Sequence, residues 1–198
     1  VTLGEFGLAP RFSEAVESGK IIIKDSTCPA LHAQLQATEK SVPFMPLRGV
    51  IGSDIQKYRN DWQVIENPMK SSGNKNEPIL LLPAVQLDVL IFHAPCVDKN
   101  GNIQIGRRRE LATLAHASTK VFVTTEKILD IDFFEDELSA ATCLPALYID
   151  GISVVQNGAW PCALPGVYGA DNDEIKKYSI AAKTQKGFED YMKNYLHN

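Results

Sequence analysis

Asp88 to His116 reads DVLIFHAPCVDKNGNIQIGRRRELATLAH, and the order of residue types in it decides the fold. The apolar run Val89 to Phe92 delivers the chain to His93. The polar stretch Asp98-Lys99-Asn100-Gly101-Asn102 turns it, and Leu111, Leu114 and Ala115 then share one side of a helical segment. The next run, Val121-Phe122-Val123-Thr124, is again β-branched and apolar. Strand, loop, helix, strand is the unit from which parallel sheets are built, and continuous apolar runs belong in a buried one. In open parallel sheets ligands collect beyond the carboxyl ends of strands, where this order places His93 and the Asp98–Asn102 loop. Asn-Gly is also the commonest means of turning a chain tightly, so turn chemistry alone accounts for that loop equally well.

Outward from this unit, 198 residues of 44% hydrophobic composition suffice for one core, so a single α/β domain over 1–198 is expected. A formal net charge of -4 and a pI near 5.6 argue against a nucleic-acid surface, and Arg107-Arg108-Arg109 reads as a solvated helix start. No apolar run reaches the length of a bilayer, so no membrane span is expected. Cys28, Cys96, Cys143 and Cys162 are scattered without a Cys-x-x-Cys, and the histidines do not cluster with them. Neither a metal site nor a disulfide framework follows, and the thiols fit a reducing cytoplasm.

Taken in order, Phe12 to Ser18 offers a short amphipathic helix ended by Gly19, and Ile21-Ile22-Ile23 a compact buried strand. Ser26-Thr27-Cys28-Pro29 caps a helix from Ala30 to Lys40, with a hydroxyl at the cap and proline in the first turn. Prolines and glycines make Ser41 to Asp54 a loop, and Asn67 to Glu77 is polar enough for an exposed loop or hairpin. Ile79 to Leu82 is expected as a strand beside Asp88–Phe92 in the same sheet. Glu126 reads first as a helix N-terminal charge and second as a ligand contact at a strand end. Asp130 to Glu137 reads as a solvated acidic run, and Ala146 to Val155 as one or two final strands around Gly151. Trp160 reads as an anchor against the fold or a partner protein, and Asp173 to Leu196 as an amphipathic helix, bent near Gly187, that covers the sheet.

The stretch His93 to Ile128, HAPCVDKNGNIQIGRRRELATLAHASTKVFVTTEKI, resembles the alpha subunit of class I coenzyme A transferases, the glutaconate CoA-transferase group. Their pattern runs roughly His-Ala-x-x-x-Asp-x-x-Gly-Asn, then a helix, then a strand ending Val-Thr-x-Glu. The resemblance extends upstream through SVPFMPLRGVIGSD and downstream through PALYIDGISVV and GAWPCALPGVY. It implies an open, mostly parallel sheet flanked by helices, related to the sugar-phosphate isomerase fold. Family members carry a Gly-rich segment before the point that matches Val1, so the domain over 1–198 is expected to be N-terminally incomplete.

In this family a glutamate of the beta subunit attacks the acyl-CoA. The enzyme passes through an acyl anhydride and an enzyme-CoA thioester, and the acceptor acid reverses the sequence. The resemblance therefore implies a CoA-transferase beta subunit as partner in a hetero-oligomer, acyl-CoA and carboxylic acid substrates, CoA as substrate, and no further cofactor. It implies substrate contacts from Cys28, Phe44, Pro46, Gly49, Gly52, His93, Gly101 and Asn102, with no catalytic residue assigned to this chain. Relatives commonly place Gln or Glu, followed by Gly, where this chain has Cys28-Pro29, and that side chain faces the reacting thioester. A thiol is a weak donor, so Cys28 is a poor occupant of an oxyanion position. Hydrolysis of CoA thioesters, a non-catalytic scaffold and a phosphosugar-binding module are the alternatives.

Overall fold

A computed structural model describes residues 2–3, 9–69 and 77–196. Its elements in chain order are β1 (Thr2–Leu3), α1 (Pro10–Glu17), β2 (Lys24–Asp25), α2 (Cys28–Glu39), β3 (Phe44–Leu47), α3 (Asp54–Tyr58), β4 (Gln63–Glu66), β5 (Pro78–Pro83) and β6 (Leu87–Ala94). These are followed by β7 (Val97–Asp98), β8 (Ile103–Gln104), α4 (Glu110–His116), β9 (Ser118–Thr125), β10 (Ile128–Leu129), α5 (Glu137–Ala141), β11 (Cys143–Leu144), β12 (Gly151–Val154), α6 (Asn172–Ala181) and α7 (Gln185–Leu196).

The unit read from the sequence is present: β6, turn, α4, β9, with β6 and β9 parallel from Leu87 opposite Ser118 to Ala94 opposite Thr125. β12 adds to the other side of β9, also parallel, giving the order β12-β9-β6. Leu90, Ala94, Val121 and Val123 turn to one face, where Leu111 and Ala115 of α4 and Ile103 and Ile105 of the turn complete a core. Val89, Ile91 and Phe122 alternate onto the opposite face and are exposed.

A second sheet is antiparallel, in the order β3-β5-β4, and packs Leu80 and Leu82 on Ala30 and Ala33 of α2. Here several expectations are corrected. Ser41 to Asp54 is not loop throughout, because Phe44–Leu47 pairs with β5; Pro46 is tolerated since β3 is an edge strand with one side free of the ladder. β5 takes β3 and β4 as neighbours, so it does not lie beside β6. The buried side chain of Gln34 donates to the Pro83 carbonyl (3.0 Å) and Thr38 to that of Val85 (2.8 Å), tying the passage between the two sheets to α2.

Ile21–Ile23 is not a strand: Ile22 is exposed, and pairing with β1 begins only at Lys24. The cap of α2 is as expected, with Thr27 Oγ1 accepting from the Ala30 amide and Pro29 in the first turn. Of the Asn67–Glu77 stretch, 70–76 lie outside the described residues; its flanks are the antiparallel β4 and β5, joined by Asn67 N–H to the Glu77 carbonyl. Arg107–Arg109 is not uniformly solvated. Arg108 is half-buried and donates to the His93 carbonyl, and Arg109 donates to that of Ala141. Ala146–Tyr148 is a single 3-10 turn, so only Gly151–Val154 forms a strand.

At the C-terminus the break falls at Ala182–Thr184, ahead of Gly187, whose missing Cβ would meet the Ala181 carbonyl oxygen at 2.4 Å. α6 and α7 pack on each other through Tyr178 and Tyr191, and Tyr195 stacks on Trp160. That pair leaves Val89, Ile91 and Phe122 of the sheet exposed, contrary to the cover expected of it.

The Asp98–Asn102 turn is built around one carboxylate. Asp98 Oδ1 accepts from the Asn100 and Asn102 amides (2.9 and 2.8 Å), and Oδ2 from Asn102 Nδ2 (2.8 Å) and the Phe133 amide (3.0 Å). Gly101 supplies the positive φ of +88° that closes the turn. Burial pushes the Asp98 carboxyl up, but these hydrogen bonds outweigh it and hold it below the usual carboxylate range. The acidic run is therefore only partly solvated: Phe133 is buried and its amide serves Asp98.

Asp98→Ala should cost about 3 kcal/mol or more, since it strands several buried donors at once. Because the folded-state pKa is depressed, Asp98 contributes fully above the ordinary aspartate pKa of about 4 and loses its contribution as pH falls through the lower folded value. Chemical denaturation should show the gap between the two proteins narrowing in acid. Equal stability at neutral pH would refute the role given to this carboxylate.

Candidate functional site

β6 and β9 end side by side, with His93 opposite Thr124. Paired residues of parallel neighbours share a face, so His93 Nδ1 lies 2.8 Å from Thr124 Oγ1. His93 Nε2 lies 2.8 Å from Oε1 of Glu126, one residue beyond the end of β9. The same oxygen accepts from the Tyr168 hydroxyl (2.9 Å), and Oε2 accepts from the Asn157 amide (2.9 Å). Tyr168 in turn accepts from the Ala159 amide at 2.9 Å. Residues 157–168 thus fold over the strand ends. Gly158 lies on the imidazole so closely that a Cβ there would stand 2.5 Å from His93 Nδ1.

The side chains of His93 and Glu126 are only 9% and 12% exposed, so their hydrogen bonds are made in a poorly solvated site. Burial pushes the Glu126 carboxyl up, but the bonds from Asn157, His93 and Tyr168 outweigh it and hold it below the usual range. Burial likewise raises Tyr168, with the Glu126 carboxylate adding to the rise, so its hydroxyl keeps its proton. An ionised carboxylate only accepts, so His93 must carry hydrogen on Nε2. Glu126 is accordingly a filled acceptor and not the helix N-terminal charge read from its position. Sequence reading missed Tyr168 and Asn157 as its partners, and Gly158 as the residue packed on His93. The one local signal was a carboxylate directly after a β-branched strand.

The other expected site residues fall into two groups. Cys28 is the first residue of α2 and its thiol is exposed. Met45 and Leu47 turn toward the α2 cluster, which leaves Phe44 and Pro46 on the exposed face of β3. Phe44 borders a cavity of about 220 Å³ shared with Asp61 and Gln63. Gly49 and Gly52 lie exposed in the turn that follows, where Gly52 N–H donates to Gln56. Gly101 and Asn102 belong with the strand-end group. The Asn102 side chain is spent within the fold, donating to Asp98 and accepting from the Ala146 amide at 2.9 Å. Gly101 borders a cavity of about 320 Å³ with Ala146 and Ile152. Among the described residues no hydrogen bond or ring contact joins the Cys28 group to His93. No cluster of three His, Cys, Asp or Glu side chains suited to a metal occurs among them, and no helix is long and apolar enough to cross a membrane.

No family model matches the sequence. Among curated proteins the chain is 32% identical over 193 residues to an uncharacterized protein of Archaeoglobus fulgidus, covering 96% of this chain and 42% of that protein. It is 26% identical over 191 residues to a cholesterol ring-cleaving hydrolase IpdA subunit of Rhodococcus jostii, covering 94% of this chain and 64% of that one. It is 25% identical over 209 residues to the alpha subunit of the glutaconate CoA-transferase of Acidaminococcus fermentans, covering 98% and 64%. The chain thus spans less than two thirds of the length of each of these relatives. The crystal structure of that glutaconate coenzyme A-transferase superposes with a TM-score of 0.84 at 24% identity, over 98% of this chain and 67% of that one, which shows the fold.

Gly158→Ala should drive the 157–168 segment off the imidazole and cost about 1–3 kcal/mol, the range for overpacking a filled site. The His93 ring resonances should move in the NMR spectrum with it. Unchanged stability and unchanged His93 shifts would show that the segment does not rest on the ring.

Proposed function

We propose that the chain is an alpha subunit of the class I coenzyme A transferase type and forms one half of a two-subunit enzyme moving CoA between an acyl-CoA and a carboxylic acid. The observation that carries this reading is the state of Glu126. Glu126 stands at the strand ends beside His93, yet one oxygen accepts from His93 and Tyr168 and the other from Asn157. A carboxylate held in this way is a weak nucleophile, so the attacking glutamate belongs to a partner, the beta subunit.

In that enzyme the partner's glutamate adds to the thioester carbon and expels CoA thiolate, leaving an acyl anhydride. The thiolate then attacks the glutamyl carbonyl of the anhydride and releases the first acid. The acceptor acid reverses both steps. This chain supplies one wall of the cleft, from Cys28 and the Phe44–Gly52 segment on one side and from the His93 and Gly101–Asn102 strand ends on the other. Asn102 acts there as frame, since its amide is already engaged. CoA is a substrate, and no resident cofactor or metal is part of the proposal. Four free thiols fit a cytoplasmic protein, and the net charge of -4 fits small-molecule substrates better than nucleic acid.

The covalent intermediate tests this directly. Co-expressed with a beta subunit and mixed with acyl-CoA, the complex should carry the adduct on a glutamate of that partner, read by mass spectrometry. Cys28→Ala should then cost little, and Cys28→Gln should hold or raise transfer, because a stronger donor would face the developing oxyanion. An adduct on Cys28, with turnover abolished by both substitutions, would replace the reading with a cysteine enzyme. Full transferase activity in this chain alone would refute the need for a partner.

A further inference from the structure

A cavity of about 610 Å³ opens beside the end of β6, between two turns. One wall is Ile105–Arg108, held in place because the Ile105 and Gly106 amides both donate to the Thr142 carbonyl at 3.0 Å. The facing wall is Pro165–Val167. It is closed by the Leu164–Tyr168 bridge and anchored through the Tyr168 hydroxyl on Glu126. Pro95 lies between the two, so the walls are largely apolar and both are tied to hydrogen-bonded parts of the fold.

Two arginines line this space. Arg108 is half-buried, and burial pushes its guanidinium down, with Glu110 offsetting part of that; its side-chain hydrogen bond goes to the neutral His93 carbonyl at 3.0 Å. Arg107 is exposed, and among the described residues its guanidinium has neither a carboxylate nor a hydrogen-bond partner. A partly desolvated guanidinium that Glu110 compensates only in part and that has no ion pair among the described residues is unfavourable, and a second cation at the same apolar cavity adds to the cost. An anion between the two relieves both.

We propose that this cavity binds an organic oxyanion, a carboxylate or phosphate held by Arg107 and Arg108, with its apolar body against Pro95, Ile105 and Val167. The proposal does not depend on the transferase reading, since the arginines call for an anion whatever reaction the assembled protein runs. One guanidinium leaves most of its donors free even after bonding His93, so bidentate contact from both residues is available.

Calorimetric titration of the chain with glutarate, with CoA and with dephospho-CoA tests it and separates the two sources. Saturable binding of glutarate assigns the site to carboxylates. Binding of CoA that is lost with dephospho-CoA assigns it to a phosphate. In either case Arg107→Gln should weaken the affinity about tenfold, the equivalent of about 1.4 kcal/mol, and Arg107→Lys should weaken it less. Arg107 is exposed and its side chain contributes no described bond to the fold, so the variant should stay folded, which circular dichroism checks. The proposal fails if none of the three probes binds saturably at millimolar concentration, or if they bind and Arg107→Gln leaves the affinity unchanged.

Discussion

The carboxylate of Asp98 holds together the segments that surround the carboxyl end of the parallel sheet. Four hydrogen bonds converge on it, from Asn100, from Asn102 twice and from Phe133, which lies beyond β9 and β10. Asn102 extends the tie to Ala146, in the turn that leads to β12. One side chain therefore fixes the chain leaving β6 and links it to the segments that follow β9 and precede β12. A carboxylate buried without a cation is costly unless amide dipoles replace its water, and here they do.

Glu126 repeats the arrangement a short distance away with a different result. Its donors come from a histidine on β6, a tyrosine and a backbone amide, so it joins the sheet to the 157–168 segment and not to a turn of its own. Gly158 shows how close that joint is, since a single methyl group would collide with His93. Trp160, also in this segment, stacks on Tyr195 and donates to Asp171, so the covering loop in turn positions the C-terminal helices.

Much of this was legible in the sequence wherever the determining interactions are local. The β6-turn-α4-β9 unit follows from apolar periodicity and an Asn-Gly turn, and the start of α2 from Thr27 and Pro29. What stayed hidden depends on distant partners. β3 looks like loop because of Pro46, and only its place at the edge of a sheet makes the proline harmless. Ile21–Ile23 has strand composition, but the pairing register starts after it. Glu126 could not be paired with Tyr168, 42 residues on, from any spacing rule. The family resemblance placed His93 and the Gly101–Asn102 turn at a ligand side, whereas the side chain of Asn102 faces inward as frame.

A reacting or binding group must be held in place and still have hydrogen-bonding capacity unspent. By that measure the strand-end cluster is scaffold, because every oxygen of Glu126, both nitrogens of His93 and the amide of Asn102 already have partners. Groups left exposed and without a described hydrogen bond lie outside it: the Cys28 thiol at the start of α2 and the guanidinium of Arg107. A frame of this kind leaves exposed groups such as Cys28 and Arg107 outside it, where chemistry can vary without unmaking the fold.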